Sequence, residues 1–190
     1  MTKDDVFEFI NRNPVFHLGT VDNGQPRVRG MLTYSATDDG IIFHTGNMRN
    51  VYRQIEANPL VELCYNDYEM QMQVRVSGTL HQIKDNAFKD QVADHPSRTF
   101  LTGWRNAIGV ESFHTQFIVY CLKRGIATCW QISDNFAPKN PHRPVIHRLT
   151  IPSPKKDENH FLPCQIVQSF HMEFRGFTVQ KIKKNINVAK

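Results

Sequence analysis

From Val15 onward the chain alternates between short runs able to form strands and tight turn signals, and this rhythm limits the fold more than any other feature. Val15 to Val21 reads as a first strand. Asn23-Gly24 then turns the chain into an extended run from Pro26 to Tyr34, and Asp38-Asp39-Gly40 turns it again into GIIFHTG. Val61 to Tyr65 and Gln71 to Leu80 continue the series. Phe117 to Lys123 and Ile126 to Ile132 read as a hairpin around Arg124-Gly125. Strands at such short spacing predict an antiparallel meander closing into a barrel rather than a parallel sheet, so the class is mainly β with peripheral α.

The helical signals are few. Asp4 or Asp5 is expected to cap a first helix with Val6, Phe7 and Ile10 on its apolar stripe. Asp85 to Asp94 reads as a short helix with Phe88 and Val92 four apart, and another helix is expected to begin near Ser97, ahead of Trp104. The segment FHTGNMRNVYRQIEANP, residues 43 to 59, runs a strand directly into a helix. Asn47 is the expected N-cap, Val51 and Ile55 share a face, and Asn58-Pro59 ends the pattern. The N–H groups and positive dipole end of that helix would address the turn Thr45-Gly46-Asn47, with Arg49 adding a fixed charge. That is a place for an anionic group. An ordinary helix start with Arg49 in solvent is the other reading.

Alternation along Pro26 to Tyr34 places Arg27, Arg29, Met31 and Thr33 on one face and Val28, Gly30, Leu32 and Tyr34 on the other. Two arginines on one strand face either meet an anion or carboxylate or belong to a solvated surface. Gln71, Gln73, Arg75 and Ser77 alternate with Met72, Val74 and Val76, the pattern of a half-buried strand.

Three separated blocks, NPVFHLGTVDNGQPRVRGMLTY, GIIFHTGNMRNVYRQIEANPLVELCYND and MQVRVSGTL, stand in the order found in the pyridoxamine 5′-phosphate oxidase-like split-barrel flavoproteins, which residues 1 to 138 resemble. The resemblance implies a six-stranded antiparallel split β-barrel and a homodimer that binds FMN in clefts where the subunits meet. Carried over residue by residue, it implies cofactor contacts from Arg27, Arg29, Gly30, Met31 and Leu32 along one strand. His44 and Thr45 would lie near the ring and ribityl chain, Arg49 and Asn50 at the phosphate, and Gln73 would reach the flavin from a later strand. Two departures are visible. The helix start offers Arg49, neutral Asn50 and apolar Val51 where relatives carry two or three cationic or hydroxyl residues, and the paired arginine and histidine that the true oxidases use for substrate near their C-terminal end are not found. The implied activity is an FMN-dependent oxidation or reduction of a small molecule other than the vitamin, with no residue assigned as catalytic. A flavin-holding module without turnover and a haem-binding relative using His44 or His114 are the alternatives.

At 190 residues the chain can bury one substantial core. Residues 1 to 138 form the expected barrel domain, and 139 to 190 a proline-rich basic extension with a short hairpin near Phe170 to Val179. Pro138 to Pro163 holds six of the ten prolines, which predicts extended or irregular chain there. Residues 1 to 140 carry 14 Lys and Arg against 15 Asp and Glu, whereas residues 141 to 190 carry 9 against 3, so the net charge of +5 belongs to the tail. No nucleic-acid-reading motif accompanies that charge, and a solvated basic end is the expectation. Cys64, Cys121, Cys129 and Cys164 are too dispersed for a zinc ribbon or disulfide ladder, and no metal is expected at His142, His147, Cys164 and His171. No apolar run is long enough to span a bilayer and the first residues lack a signal pattern, so a cytoplasmic protein is expected.

Overall fold

The computed structural model describes residues 1–135 and 147–151; the hairpin expected near Phe170 lies outside them, as do His142, Cys164 and His171 of the four residues weighed for a metal. The chain opens with α1 (Lys3–Arg12). Its N-cap is Thr2, whose hydroxyl accepts from the Asp5 amide at 3.2 Å while Asp5 accepts from the Thr2 amide at 2.6 Å. The expectation of an aspartate at the cap is thus corrected: Asp5 is the third helical residue, closing a capping box. The buried stripe of α1 is Val6, Phe7, Phe9 and Ile10.

Six strands follow in antiparallel pairs: β1 (Val15–Asp22), β2 (Gln25–Thr37), β3 (Gly40–Gly46), β4 (Leu60–Asp67), β5 (Met72–Ile83) and β6 (Phe117–Gln131). Their order is β3-β2-β1-β4-β5-β6, and a further β3–β6 pairing closes the sheet into a barrel. A seventh strand, β7 (His147–Ile151), pairs with the later part of β6. It falls within the segment read as extended or irregular.

One expectation fails outright here. Phe117 to Ile132 is not a hairpin about Arg124-Gly125 but a single strand of 15 residues, β6. Gly125 sits opposite Gly78 of β5, and a Cβ on Gly125 would lie 2.8 Å from the Ser77 carbonyl oxygen. Glycine is there so that two backbones can meet closely where the barrel coils, with a register shift just beyond, and it does not reverse the chain. The first part of β6 is held by β3 on one edge, the later part by β7 on that same edge, and β5 runs along the other.

The interior is filled by Phe16, Leu18, Phe43, Leu63, Tyr65, Val74, Val76, Tyr120 and Leu122, all buried. Phe16 stacks on Tyr65 at 5.2 Å between ring centres and meets Phe43 edge-on at 5.3 Å. The Tyr65 hydroxyl meets that of Thr33, 2.9 Å away, which satisfies both in an apolar surrounding. A second layer covers the outside of β3 and β6. It is formed by α3 (Asn86–Ala93), α4 (Phe100–Ile108) and α5 (Val110–Gln116), with Ile42, Val119 and Cys121 of the strands packed under Val92, Leu101 and Phe113. Asp85 caps α3, accepting from the Ala87 amide at 2.9 Å. A 3-10 turn, Pro96–Arg98, precedes α4, so that helix starts later than Ser97; α5 has no counterpart in the sequence reading. No helix among the described residues is long and apolar enough to cross a membrane.

Candidate functional site

The barrel is split between β2 and β3. Their ladder ends at Thr33↔Phe43; below it β2 continues back to Gln25 paired with β1, while β3 continues to Gly46 paired with β6. The two strands diverge, leaving Arg29, Gly30, Met31 and Leu32 on one lip and His44, Thr45 and Gly46 on the other. A bulge between Thr33 and Ser35 marks where they part. Backbone groups on the diverging edges have no ladder partner, so each lip presents donors and acceptors to whatever lies between them.

At one end of the split stands α2 (Asn50–Ala57). Its start differs from the sequence reading. Asn47 is not the cap: its amide donates to the Gln116 carbonyl at 2.9 Å and its side chain to the Thr115 carbonyl, because the chain is still leaving the β3–β6 ladder. Arg49 occupies the cap position and offers the helix no side-chain acceptor, and the first turn holds no acidic residue. The Arg49 amide donates to the Gly46 carbonyl at 3.0 Å and its carbonyl accepts from Tyr52. The amides of Asn50 and Val51 are therefore among the orphan donors of a helix start, beside a guanidinium that the dipole disfavours.

Arg29 answers the question raised by two arginines on one face. Its Nη1 donates to the Thr20 hydroxyl at 2.6 Å and to the Leu18 carbonyl at 3.4 Å, and its Nη2 donates to Gln54 Oε1 at 2.6 Å. Gln54 also accepts from Thr20 at 2.7 Å and donates to Asp22 at 3.3 Å, and Asp22 in turn faces Arg27 at 3.6 Å. The two cations are thus tied to one carboxylate, Arg27 directly and Arg29 through an amide relay. A guanidinium has five N–H donors, and these bonds leave the Nε hydrogen and one on Nη2 unspent. Burial, with the charge of Arg27 adding to it, pulls the Arg29 pKa down. Gln54 escaped the sequence reading, although a polar side chain between Val51 and Ile55 on the buried face of α2 was a legible sign.

The remaining residues divide by face. Met31 packs against the barrel core and Thr45 is buried. His44 points the other way, into the helical layer, with its ring 5.0 Å from Phe117 and 6.2 Å from Phe100. Burial pushes its pKa down to about 4, and the positive charge of Arg98 contributes, so the imidazole is neutral near pH 7. Arg98 itself is buried, donating Nη2 to the Thr33 carbonyl at 2.7 Å where the strands part, while its Nε finds no partner. Nothing in the spacing of the sequence singled it out. His114 donates Nε2–H to the Asp90 carboxylate, 2.9 Å away, on the rim of α3 and α5. Trp104 is a packing residue of the helical layer, edge-on to Phe113 and Phe117.

Gln73 is not brought to this cleft within one chain. It lies on β5, with β4 and β1 between it and β2, donating to Asn66 at 2.9 Å and facing Trp130 of β6. No cluster of three or more metal-ligating side chains occurs among the described residues.

A sequence profile of the pyridoxamine 5′-phosphate oxidase family matches residues 2–113. The pyridoxine/pyridoxamine 5′-phosphate oxidase of Mannheimia succiniciproducens is 27% identical over 96 residues, which are 50% of this chain and 46% of that protein. The enzyme of the same description from Rubrobacter xylanophilus is 32% identical over 82 residues, 43% of this chain and 38% of its own. The chain thus aligns with less than half the length of these curated relatives. In three dimensions it resembles a NimC/NimA family protein of Clostridium acetobutylicum, with a TM-score of 0.59 at 17% identity over 78% of this chain and 92% of the other, a likeness of fold. A profile match across more than half of the chain, on a barrel split in this manner, makes it a member of the pyridoxamine 5′-phosphate oxidase family.

Proposed function

We propose that the chain binds FMN in the split between β2 and β3 and uses it as a flavin-dependent oxidoreductase on a small molecule. The observation that carries this reading is the donor set at one end of the split. Arg29 has unspent guanidinium hydrogens, and α2 begins with uncapped amides under the charged side chain of Arg49. A phosphate dianion suits such a set, since charge-assisted bonds to guanidinium and helix amides are the strong ones. In this reading Arg29, Arg49 and Asn50 hold the phosphate and Arg27 backs Arg29 through Asp22. The strand edges at Gly30, Met31, Leu32 and Thr45 receive the ribityl chain and ring, and His44 lies beside them as a neutral imidazole. The flavin would supply the hydride or electron transfer; the protein's share is to bind, orient and exclude water.

Gln73 fits the reading only in a dimer. Val15, Val28, Leu60 and Ile126 are all exposed, at 63%, 69%, 61% and 42%, on strands of the same sheet. A second copy covering that surface would remove apolar area from water and could carry its own Gln73 towards the first copy's flavin. The substrate would be a small molecule entering above the uncovered ring face, and the chain would work free of membranes and nucleic acid.

The test is an absorbance spectrum of purified protein loaded with FMN and then desalted. Retained flavin bands are expected. A colourless protein would refute the reading. Steady bleaching by NAD(P)H with recovery in the presence of an electron acceptor would mark an enzyme, and bleaching without recovery a flavin-holding module.

A further inference from the structure

The start of α2 lacks a second cation at the positions where the family's pattern places one, since Asn50 is neutral and Val51 is buried at 8% exposure. A cation nonetheless stands there. Arg53, one turn later on the exposed side, folds back toward the helix start and donates Nη2 to Asn50 Oδ1 at 2.5 Å. We propose that Arg53 is the second phosphate-binding cation of this site and that Asn50 serves to position it. The inference rests on the flavin reading above and names a residue that reading did not use.

Four features of this chain support it. Residues Asn50 and Arg53 are three apart, so both side chains rise from one face of the first turn, and side chains in a helix lean toward its N-terminus. Among the described residues Arg53 has no carboxylate within ion-pair distance, although Arg12, Arg27, Arg75 and Arg105 do. Its cost to the isolated helix is real, because cations near a helix start oppose the dipole and the first turn holds no acidic residue to offset Arg49 and Arg53. An anion placed at the orphan amides would reverse that penalty. The neighbouring residue, Gln54, is the acceptor of Arg29, so consecutive residues of α2 tie Arg29 and Arg53 to the same turn of helix.

Arg53 therefore fills the role of the missing cation from a position one turn along, and the Asn50 side chain, rather than touching phosphate, holds the guanidinium in place. One of the two Nη2 hydrogens is committed to Asn50, which leaves the other, both on Nη1 and the one on Nε for phosphate oxygens. Loss of a phosphate cation weakens a phosphorylated ligand and spares its dephosphorylated form, and this distinguishes it from loss of fold or of ring contacts.

The experiment measures the affinity of the full chain for FMN and for riboflavin by fluorescence quenching, for wild type, Arg53→Gln, Arg53→Lys and Asn50→Leu. Arg53→Gln is expected to weaken FMN about tenfold or more, as for a charged hydrogen bond removed, with riboflavin unchanged. Asn50→Leu should fall between wild type and Arg53→Gln, and Arg53→Lys should recover part of the loss. FMN affinity of Arg53→Gln should also depend less steeply on salt. Equal weakening of FMN and riboflavin, or no change in either, overturns the role of Arg53 while leaving the flavin reading standing. A wild type that binds riboflavin as tightly as FMN overturns the phosphate site altogether, and one that binds neither overturns the flavin reading and this inference with it.

Discussion

His44 offers a prediction whose size can be worked from its surroundings. Packed between Phe117 and Phe100 and within the field of Arg98, it has its pKa lowered from 6.5 to about 4 in the folded chain. In the unfolded chain nothing lowers it. The sign follows from which state takes up the proton: as pH falls below 6.5 the unfolded form binds it first, so the stability this residue contributes is complete above pH 6.5 and drains away between 6.5 and about 4. At roughly 1.4 kcal/mol per pH unit the full loss is about 3 kcal/mol, of which about 2 kcal/mol is gone by about pH 5. The assay is urea unfolding without added flavin at pH 7.5 and 5.0, for wild type and His44→Phe, which keeps a ring in the slot. With an m-value of about 2 kcal/mol per molar, the wild-type midpoint should fall about 1 M further than that of the variant. Contributions from His95 and the carboxylates are common to both proteins and cancel in the difference. Equal losses in the two would refute the argument.

Other expectations can be checked with the same equipment. Arg49→Ala should weaken FMN with no change in unfolding, whereas Arg29→Ala should weaken FMN and cost about 1–2 kcal/mol, because Gln54 and Thr20 lose a charged donor; parallel titration and denaturation would separate the two. Tyr65→Phe or Thr33→Val alone should each cost about 1–2 kcal/mol by stranding a buried hydroxyl, while the double variant should cost less than the sum, a coupling that a double-mutant cycle would read. Thr2→Ala should lower stability by about 1 kcal/mol through loss of the capping box, and a melting temperature unchanged from wild type would contradict it. Gly125→Val should destabilise by about 2 kcal/mol or more, since its side chain would press on the Ser77 carbonyl; a neutral effect would mean the strand crossing is looser than described.

Much of the barrel could be read from the chain because period-two alternation and turn residues are local signals. β1 to β5 emerged from them, with Asn23-Gly24 and Asp38-Asp39-Gly40 at two of the turns. What failed was also local, but decided by partners far away in sequence. Gly125 looked like a turn, yet its neighbour is Gly78, and no window on either segment contains both. Asn47 looked like a cap, yet the pull of the Gln116 carbonyl on its amide delays the helix to Asn50. In the cleft, Arg29, Thr45 and Arg49 could be proposed from the family's pattern, but the relay through Thr20, Gln54 and Asp22 required knowing that β1 and α2 approach the same face. The burial of Arg98 beneath the helical layer was invisible for the same reason: a lone arginine in a turn carries no mark of what will cover it.

The long strand β6 has a consequence for how this molecule is made. It pairs with β3, β5 and β7, so it is the piece that closes the barrel, yet it begins only at Phe117, after the barrel's other five strands. Until the ribosome has delivered residues 117 to 131, one edge of β3 and one of β5 stand open, both rich in apolar side chains and ready to pair with any strand they meet. A nascent chain or fragment stopped before Phe117 is therefore the form most exposed to aggregation. Closure joins segments separated by some seventy residues, counting from Ile41–Gly46 to Phe117–Leu122, and such distant pairing is the slow event in barrel folding.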